Sequence, residues 1–263
     1  MAGIPSSWAF GQDMSKHNGK YDPSVRPVSF VMQRLSAADG TGVYMDSRVN
    51  ELYAECAPVP LMGGWHFWSG FQSLQKQVDT YLAAAQGKRY SWHALDWELG
   101  NMSGVIINPN TKLSADAAYE WIKAIRSATG KKVIMYIQRS DYATLKSTFK
   151  VSWLEDIELW VKYWPYKQYL TTLNTDYIWG LFNGKKPPFW QYGADAVGVA
   201  GYKEGRLWGS SSDSIDLDVF TGTPSELAAW CETSAPPLPQ PKPAPTLEEQ
   251  VSLLWAAHPE LHP

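Results

Sequence analysis

Short apolar runs recur along this chain, and stretches of helical periodicity separate most of them. That alternation is the strongest constraint on what it can fold into. Residues 28–34, 61–67, 92–98, 133–138, 157–163, 189–192 and 214–218 read as strands, and 47–56 reads as helix. Residues 72–86 place Leu74, Val78, Tyr81 and Leu82 near a 3.6-residue period. Ser114 starts another helix running to about Ala128, with Ala118, Trp121, Ile122 and Ile125 on one side. Gly130 stops it, because glycine accepts the left-handed backbone that ends helices. Strand–helix alternation predicts an α/β architecture, either a barrel or an open parallel sheet. In both, the functional site forms at the C-terminal ends of the strands. Asp13, His66, Asp96, Glu98, Tyr136 and Asp216 each fall near the end of an expected strand, so they are expected to converge on one rim.

The most chemically pointed segment is His93-Ala94-Leu95-Asp96-Trp97-Glu98. Side chains alternate faces along a strand, so Asp96 and Glu98 point the same way. At roughly 3.3 Å rise per residue their Cα atoms lie roughly 6.6 Å apart. Two acids on one face repel, and the least costly relief is for one to keep its proton. A carboxylic acid beside a carboxylate is the basic equipment of glycoside hydrolysis. The plainer alternative is a pair of strand-end acids facing water or a metal.

Other segments extend the pattern. Gly11-Gln12-Asp13-Met14-Ser15 follows a short apolar start, and Gly64-Trp65-His66-Phe67 closes an apolar run. Leu159-Trp160-Val161-Lys162-Tyr163 and Trp190-Gln191-Tyr192 are aromatic-rich, and Ser214-Ile215-Asp216-Leu217-Asp218 adds late acids. This ordered set, over roughly residues 7–222, resembles the Chalaropsis-type lysozymes, the family 25 glycoside hydrolases. The resemblance implies a modified TIM-like (β/α)5(β)3 barrel, with five βα units followed by strands lacking full helices. It implies an N-acetylmuramidase acting on the glycan strands of bacterial peptidoglycan.

The resemblance also implies roles. Glu98 matches the general acid/base that protonates the leaving glycosidic oxygen. Asp96 matches the acid that orients the substrate's own N-acetyl group for attack on the anomeric carbon. Asp13 and Asp216 add to the negative field that stabilises positive charge on the sugar. Substrate assistance of this kind retains configuration, and inversion through an Asp-activated water is the rival. Trp65 stands where the family has Tyr, which keeps an aromatic wall and loses a hydroxyl. His66, Tyr136, Trp160, Tyr163, Trp190 and Tyr192 match its aromatic positions. Arg34 falls near a family Lys, and a guanidinium fork is not equivalent to an ammonium. Leu35-Ser36-Ala37-Ala38 departs from the usual sequence there, so the loop after the second strand is expected to be shaped differently.

Composition agrees with one catalytic domain and a tail. The 263 residues suffice for one barrel-sized core, and 19% charged residues exclude a disordered or supercharged chain. Fourteen Trp and fourteen Tyr can be core, and they also suit a groove that stacks on sugar rings. A net charge of −3 argues against nucleic acid as a partner. No stretch is apolar enough to insert in a membrane. Cys56 and Cys231 can form one bridge or stay free, and no zinc spacing occurs, so neither metal nor cofactor is expected. A peptidoglycan amidase fits poorly with five histidines at no ligand spacing. A non-catalytic wall-binding module fits poorly with intact Asp96 and Glu98. The start lacks a secretory signal. That suits a bacteriophage endolysin held in the host cytoplasm until lysis, or a processed extracellular form. Oligomeric state is left open.

The domain division expected is a catalytic barrel over 1–232, a Pro-rich spacer over 233–245 and a short helical tail over 246–263. The spacer is extended and semi-rigid. Thr246 and Glu249 fit a capping box, Leu247, Val251, Leu254 and Trp255 share one side, and Pro259 ends the helix.

Overall fold

The computed structural model describes residues 3–99, 101–102, 105–106, 108–184 and 186–233. Apart from Thr233, the spacer expected over 233–245 and the tail expected over 246–263 lie outside the described residues. In chain order the elements are β1 (Ala9–Met14), β2 (Phe30–Asp39), β3 (Gly42–Met45), α1 (Val49–Glu55), β4 (Leu61–Phe67), α2 (Leu74–Ala85) and β5 (Trp92–Asp96). They continue with β6 (Asn101–Met102), β7 (Val105–Ile106), α3 (Lys112–Thr129), β8 (Val133–Gln138), α4 (Arg139–Ala143) and β9 (Leu159–Lys162). The last are α5 (Thr175–Leu181), β10 (Phe189–Gly193), β11 (Asp216–Phe220) and α6 (Pro224–Glu232).

The main sheet is nine-stranded in the order β1-β11-β10-β9-β8-β5-β4-β2-β3, and β1 also pairs with β2. That extra pairing closes a ring of eight strands, with β3 outside it as a hairpin partner of β2. Every neighbouring pair from β1 round to β10 is parallel, whereas β11 runs antiparallel to both β10 and β1. This is the expected modified TIM-like barrel. The five helical crossovers follow β2, β4, β5, β8 and β9, while β1 is followed by a single 3-10 turn. A π-helical turn over Thr144–Thr148 prolongs α4.

Local sequence accounts for the crossovers. Ser73 caps α2 by accepting from the Lys76 amide. Thr111 caps α3, three residues before the expected start, by accepting from the Ser114 amide. Ala115, Ala118, Trp121, Ile122 and Ile125 form its buried face. Gly130 ends it at φ 66°, as its position predicts. The second strand differs from expectation. It runs on through Leu35-Ser36-Ala37-Ala38, which the sequence suggested as a loop, because Ser36, Ala37 and Ala38 pair with β3. The β2–β4 register slips between Arg34 and Ser36, a bulge that turns both Leu35 and Ser36 towards the helices.

Two cores flank the sheet. The outer one lies between strands and helices and includes Trp68, Trp97 and Trp121. The inner one fills the barrel with Phe30, Met32, Trp92, Ile134, Trp160 and Phe189. Near the N-terminal strand ends, Phe189 stacks on Trp92 with centroids 5.2 Å apart and meets Phe30 at 5.3 Å. From below, α6 inserts Leu227 and Trp230, the latter 5.3 Å from Phe189. Such bulk fits only because neighbouring positions are bare. A Cβ on Gly63 would lie 2.4 Å from the Trp92 indole, and one on Gly11 would lie 2.4 Å from the Phe30 ring. Cys56 and Cys231 are both free thiols. Among the described residues no helix is long and apolar enough to cross a membrane.

Gly63→Ala is therefore expected to destabilise the fold by roughly 1–3 kcal/mol, the usual cost of overpacking a filled core. Denaturant unfolding measures it, and an unchanged midpoint would show that Trp92 can move aside.

Candidate active site

Period-two alternation sorts the upper half of each strand into an inward and an outward set. The inward residues are Asp13 on β1, Arg34 on β2, Trp65 and Phe67 on β4, and Asp96 on β5, with Glu98 just beyond. Tyr136 on β8, Trp160 and Lys162 on β9, Gln191 on β10 and Asp216 on β11 complete the ring. They line a cavity of about 600 Å³ at the C-terminal rim of the parallel strands. β11 contributes its N-terminal end to the same rim because it is antiparallel. Trp97 stays fully buried on the opposite face from Asp96 and Glu98, and its amide donates to the Tyr136 carbonyl, continuing the strand geometry.

Hydrogen bonds fix several of these groups. Gln191 Nε2 donates to Asp13 Oδ2 at 2.7 Å. Its Oε1 accepts from the Tyr136 hydroxyl at 2.7 Å and from Trp164 Nε1 at 2.9 Å. Trp160 Nε1 donates to Asp218 Oδ1 at 2.7 Å, under the cavity floor. Lys162 Nζ lies 3.3 Å from Glu98 Oε1 and 4.3 Å from the centroid of the Trp164 ring. Arg34 Nε is tied to Asp46 Oδ2 at 2.8 Å, while its Nη2 has no hydrogen-bond partner among the described residues.

Burial dominates the electrostatics. It raises the Asp96 carboxyl well above its ordinary range, and the neighbouring Glu98 adds to this. Asp13 is raised well above that range by burial and then by Asp218, and Asp216 by burial and then by Asp13. Burial pushes Asp218 up to about 8. Tyr136 is raised by burial and then by Glu98, Asp96, Asp13 and Asp216, so all four acids expected from sequence act on one hydroxyl.

Of the residues singled out by sequence, the cavity brings together Glu98, Asp96, Asp13, Asp216, Trp65, Tyr136, Trp160 and Arg34. Four lie elsewhere. His66 neighbours Trp65 on the strand and so points outwards, where it is fully buried between Ser36 Oγ at 2.8 Å and Gln77 Oε1 at 2.9 Å. Its ring stacks on Trp121, and burial pushes it down to about 4, which keeps it neutral. Trp190 and Tyr192 flank the inward Gln191 and therefore face out, Trp190 against Trp179 and Tyr192 against Phe10. Tyr192 lines a separate cavity of about 480 Å³ on the barrel's outer side. Tyr163 follows the inward Lys162 and packs near Tyr177 instead. The residues that sequence reasoning missed are Lys162, Gln191, Asp218, Trp164 and Phe67. For Lys162 and Gln191 the signal was present: each is a lone polar residue in an otherwise apolar strand. Among the described residues no group of three or more His, Cys, Asp or Glu could hold a metal ion.

The family model for glycosyl hydrolases family 25 matches residues 12–200. No curated protein matches the chain. Among solved structures, a family 25 glycosyl hydrolase from Bacillus anthracis superposes with a TM-score of 0.64 at 18% identity, over 87% of this chain and 96% of that one. The bacterial lysozyme from Streptomyces coelicolor gives 0.61 at 18% identity, over 86% and 98%. The catalytic domain of the endolysin ply40, from bacteriophage P40 of Listeria monocytogenes, gives 0.54 at 16% identity, over 87% and 100%.

The buried acids also set a pH dependence of stability. A carboxyl raised in the folded state binds its proton more tightly there than in the unfolded chain. Its contribution is full below about 3.8 and is lost as pH rises through the folded value. Buried His66 and His93 are lowered to about 4 and about 3, so they act the other way, adding stability as pH rises towards 6.5. Above 6.5 the histidines are spent and the carboxyls remain. Unfolding free energy is expected to fall between pH 6.5 and 8, less steeply in Asp218→Asn. Guanidinium titrations across that range check it, and a flat or rising wild-type profile would contradict the assignment.

Proposed function

The chain belongs to family 25 of the glycosyl hydrolases, and on that premise we propose that it cleaves the β-1,4 bond that leaves N-acetylmuramic acid at the new reducing end, with Glu98 as general acid/base. Muramidase-type hydrolysis of peptidoglycan is the activity common to this membership. The observation that carries the finer reading is the placement of the two motif acids. Glu98 holds the more open position, its side chain 13% exposed at the cavity wall, and Asp96 is buried beside it. Lys162 engages Glu98 Oε1, and Glu98 lines the cavity that a glycosidic oxygen would enter.

In the proposed reaction Glu98 protonates the leaving oxygen as the bond to the anomeric carbon breaks. Asp96 accepts the acetamido N–H of the muramic residue and aligns its carbonyl oxygen on that carbon, forming a cyclic oxazolinium. The positive charge that develops there offsets the burial of Asp96, as Lys162 and Arg34 already do in part. Glu98, now a carboxylate, takes a proton from the water that opens the ring, and configuration is retained. Trp65, Phe67 and Trp160 supply apolar walls for the sugar faces, and Arg34 adds a cationic side chain to the lining. The setting for this activity is the bacterial cell wall.

Glu98→Gln keeps shape and removes the acid, so kcat on purified peptidoglycan should fall by roughly 10²–10⁴-fold. Thermal unfolding should be unchanged. Near-normal turnover by a folded Glu98→Gln protein would sink the assignment.

Mass spectrometry of borohydride-reduced digests is expected to show reduced N-acetylmuramic acid, and early proton NMR the β-anomer. Reduced N-acetylglucosamine at the new ends would mean a different bond, and an initial α-anomer would mean inversion.

A further inference from the structure

One buried amide joins three sides of the cavity. Gln191 is 4% exposed on β10, and it binds Tyr136 on β8, Trp164 just beyond β9 and Asp13 on β1. We propose that Gln191 is a positioning residue, which holds the hydroxyl proton of Tyr136 so that Tyr136 meets the substrate only as a hydrogen-bond acceptor. The proposal rests on the reading of Glu98 and Asp96 as the reacting pair.

The hydrogen bonds themselves assign this proton. An indole N–H can only donate. Trp164 Nε1 lies 2.9 Å from one end of the Gln191 amide, so that end is the carbonyl oxygen, Oε1. The other end is then the NH2, and it donates to Asp13 Oδ2 at 2.7 Å. The Tyr136 hydroxyl lies 2.7 Å from the same Oε1. An amide oxygen has no proton to give, so the proton in that bond belongs to Tyr136. Oε1 has two lone pairs, and Tyr136 and Trp164 occupy both.

What Tyr136 has left to offer is the lone pairs of its oxygen. Tyr136 pairs in register with Asp96 across β5 and β8, and both line the cavity. In the proposed reaction Asp96 takes the acetamido N–H. Tyr136 puts a second acceptor beside it, which suits an O–H or N–H of the sugar and turns a carbonyl oxygen away. The acetamido oxygen has to attack the anomeric carbon, and each hydrogen bond it accepts draws electron density from it. By holding the Tyr136 proton, Gln191 leaves that oxygen free to attack.

Proton NMR of the full wild-type chain, saturated with the disaccharide N-acetylglucosaminyl-β-1,4-N-acetylmuramic acid, reads the proton directly. The Tyr136 hydroxyl resonance, identified by its loss in Tyr136→Phe, is expected to exchange slowly with water. It should show a nuclear Overhauser effect to the Trp164 indole proton, since both protons bind one oxygen, and should keep it when the disaccharide is bound. A hydroxyl proton too exchangeable to observe, or one that leaves Trp164 for the acetamido group in the complex, would overturn the proposal, even if no Gln191 variant folded. Kinetics on peptidoglycan test the consequence. Gln191→Leu frees the Tyr136 proton and should lower kcat by on the order of 10²-fold with KM little changed, the signature of a misplaced group rather than lost binding. Tyr136→Phe, which loses only an acceptor, should lower kcat by about tenfold. Joining the two should bring kcat back up towards that tenfold loss, because the misdirected proton is gone. Losses that simply multiply, as two independent structural defects do, would overturn the proposal. A wild-type protein that releases no muramic reducing ends would defeat the muramidase reading and leave the NMR result standing, so the two failures are distinct.

Discussion

A closed ring of strands allows each side chain only two destinations, and nearly everything else in this protein follows from that. Residues on one face meet at the barrel axis, and residues on the other meet the helices. Neighbours in sequence are therefore strangers in space. Trp65 reaches the cavity and His66 the helix layer. Gln191 reaches the cavity, and Trp190 and Tyr192 the outer side. The single bulge at Leu35 is the place on β2 where the chain steps out of this rule, and it sends two consecutive residues to the same side.

The inward face divides along the barrel axis. Its lower half is apolar, packed with Phe30, Trp92, Phe189 and Phe220 and closed by Trp230 from α6. Its upper half carries Asp13, Asp96, Glu98 and Asp216, with Lys162 and Arg34 as the cations among them. Trp160 belongs to both halves, since its ring packs against Trp65 and Tyr136 while its N–H holds Asp218. The rigid aromatic base is what allows acids to be held close together above it. Left to water, such carboxyls would separate and ionise. Here burial raises Asp13, Asp96 and Asp216 well above the ordinary carboxylate range, a loss of stability near neutral pH accepted at a site that works by moving protons.

Abundant aromatic residues serve mainly as structure. Trp68, Trp92, Trp97, Trp121, Trp160 and Trp190 are almost wholly buried, and only Trp160 of these touches the cavity. Trp65 and Trp164 join it there, so three indoles line the space where a sugar would sit. Aromatic content by itself thus says little about ligand binding, whereas position on a strand says a great deal.

The sequence by itself determined the strand–helix alternation, the stop at Gly130, the shared face of Asp96 and Glu98, and the order of motifs that leads to the family. These are local or periodic properties, written in spacings of two and of three to four residues. Only the tertiary structure decided which face of each strand turns inward. That choice depends on the register of both neighbouring strands and on where bulk fits, as Gly63 beside Trp92 shows. It also decided that Asp218 lies under Asp13, that Lys162 meets Glu98, and that Gln191 links Tyr136 and Trp164 to Asp13. Those partners stand 205, 64 and up to 178 residues apart in the chain. No local pattern encodes such distances; closing the barrel does, because it brings the ends of all eight strands to one rim.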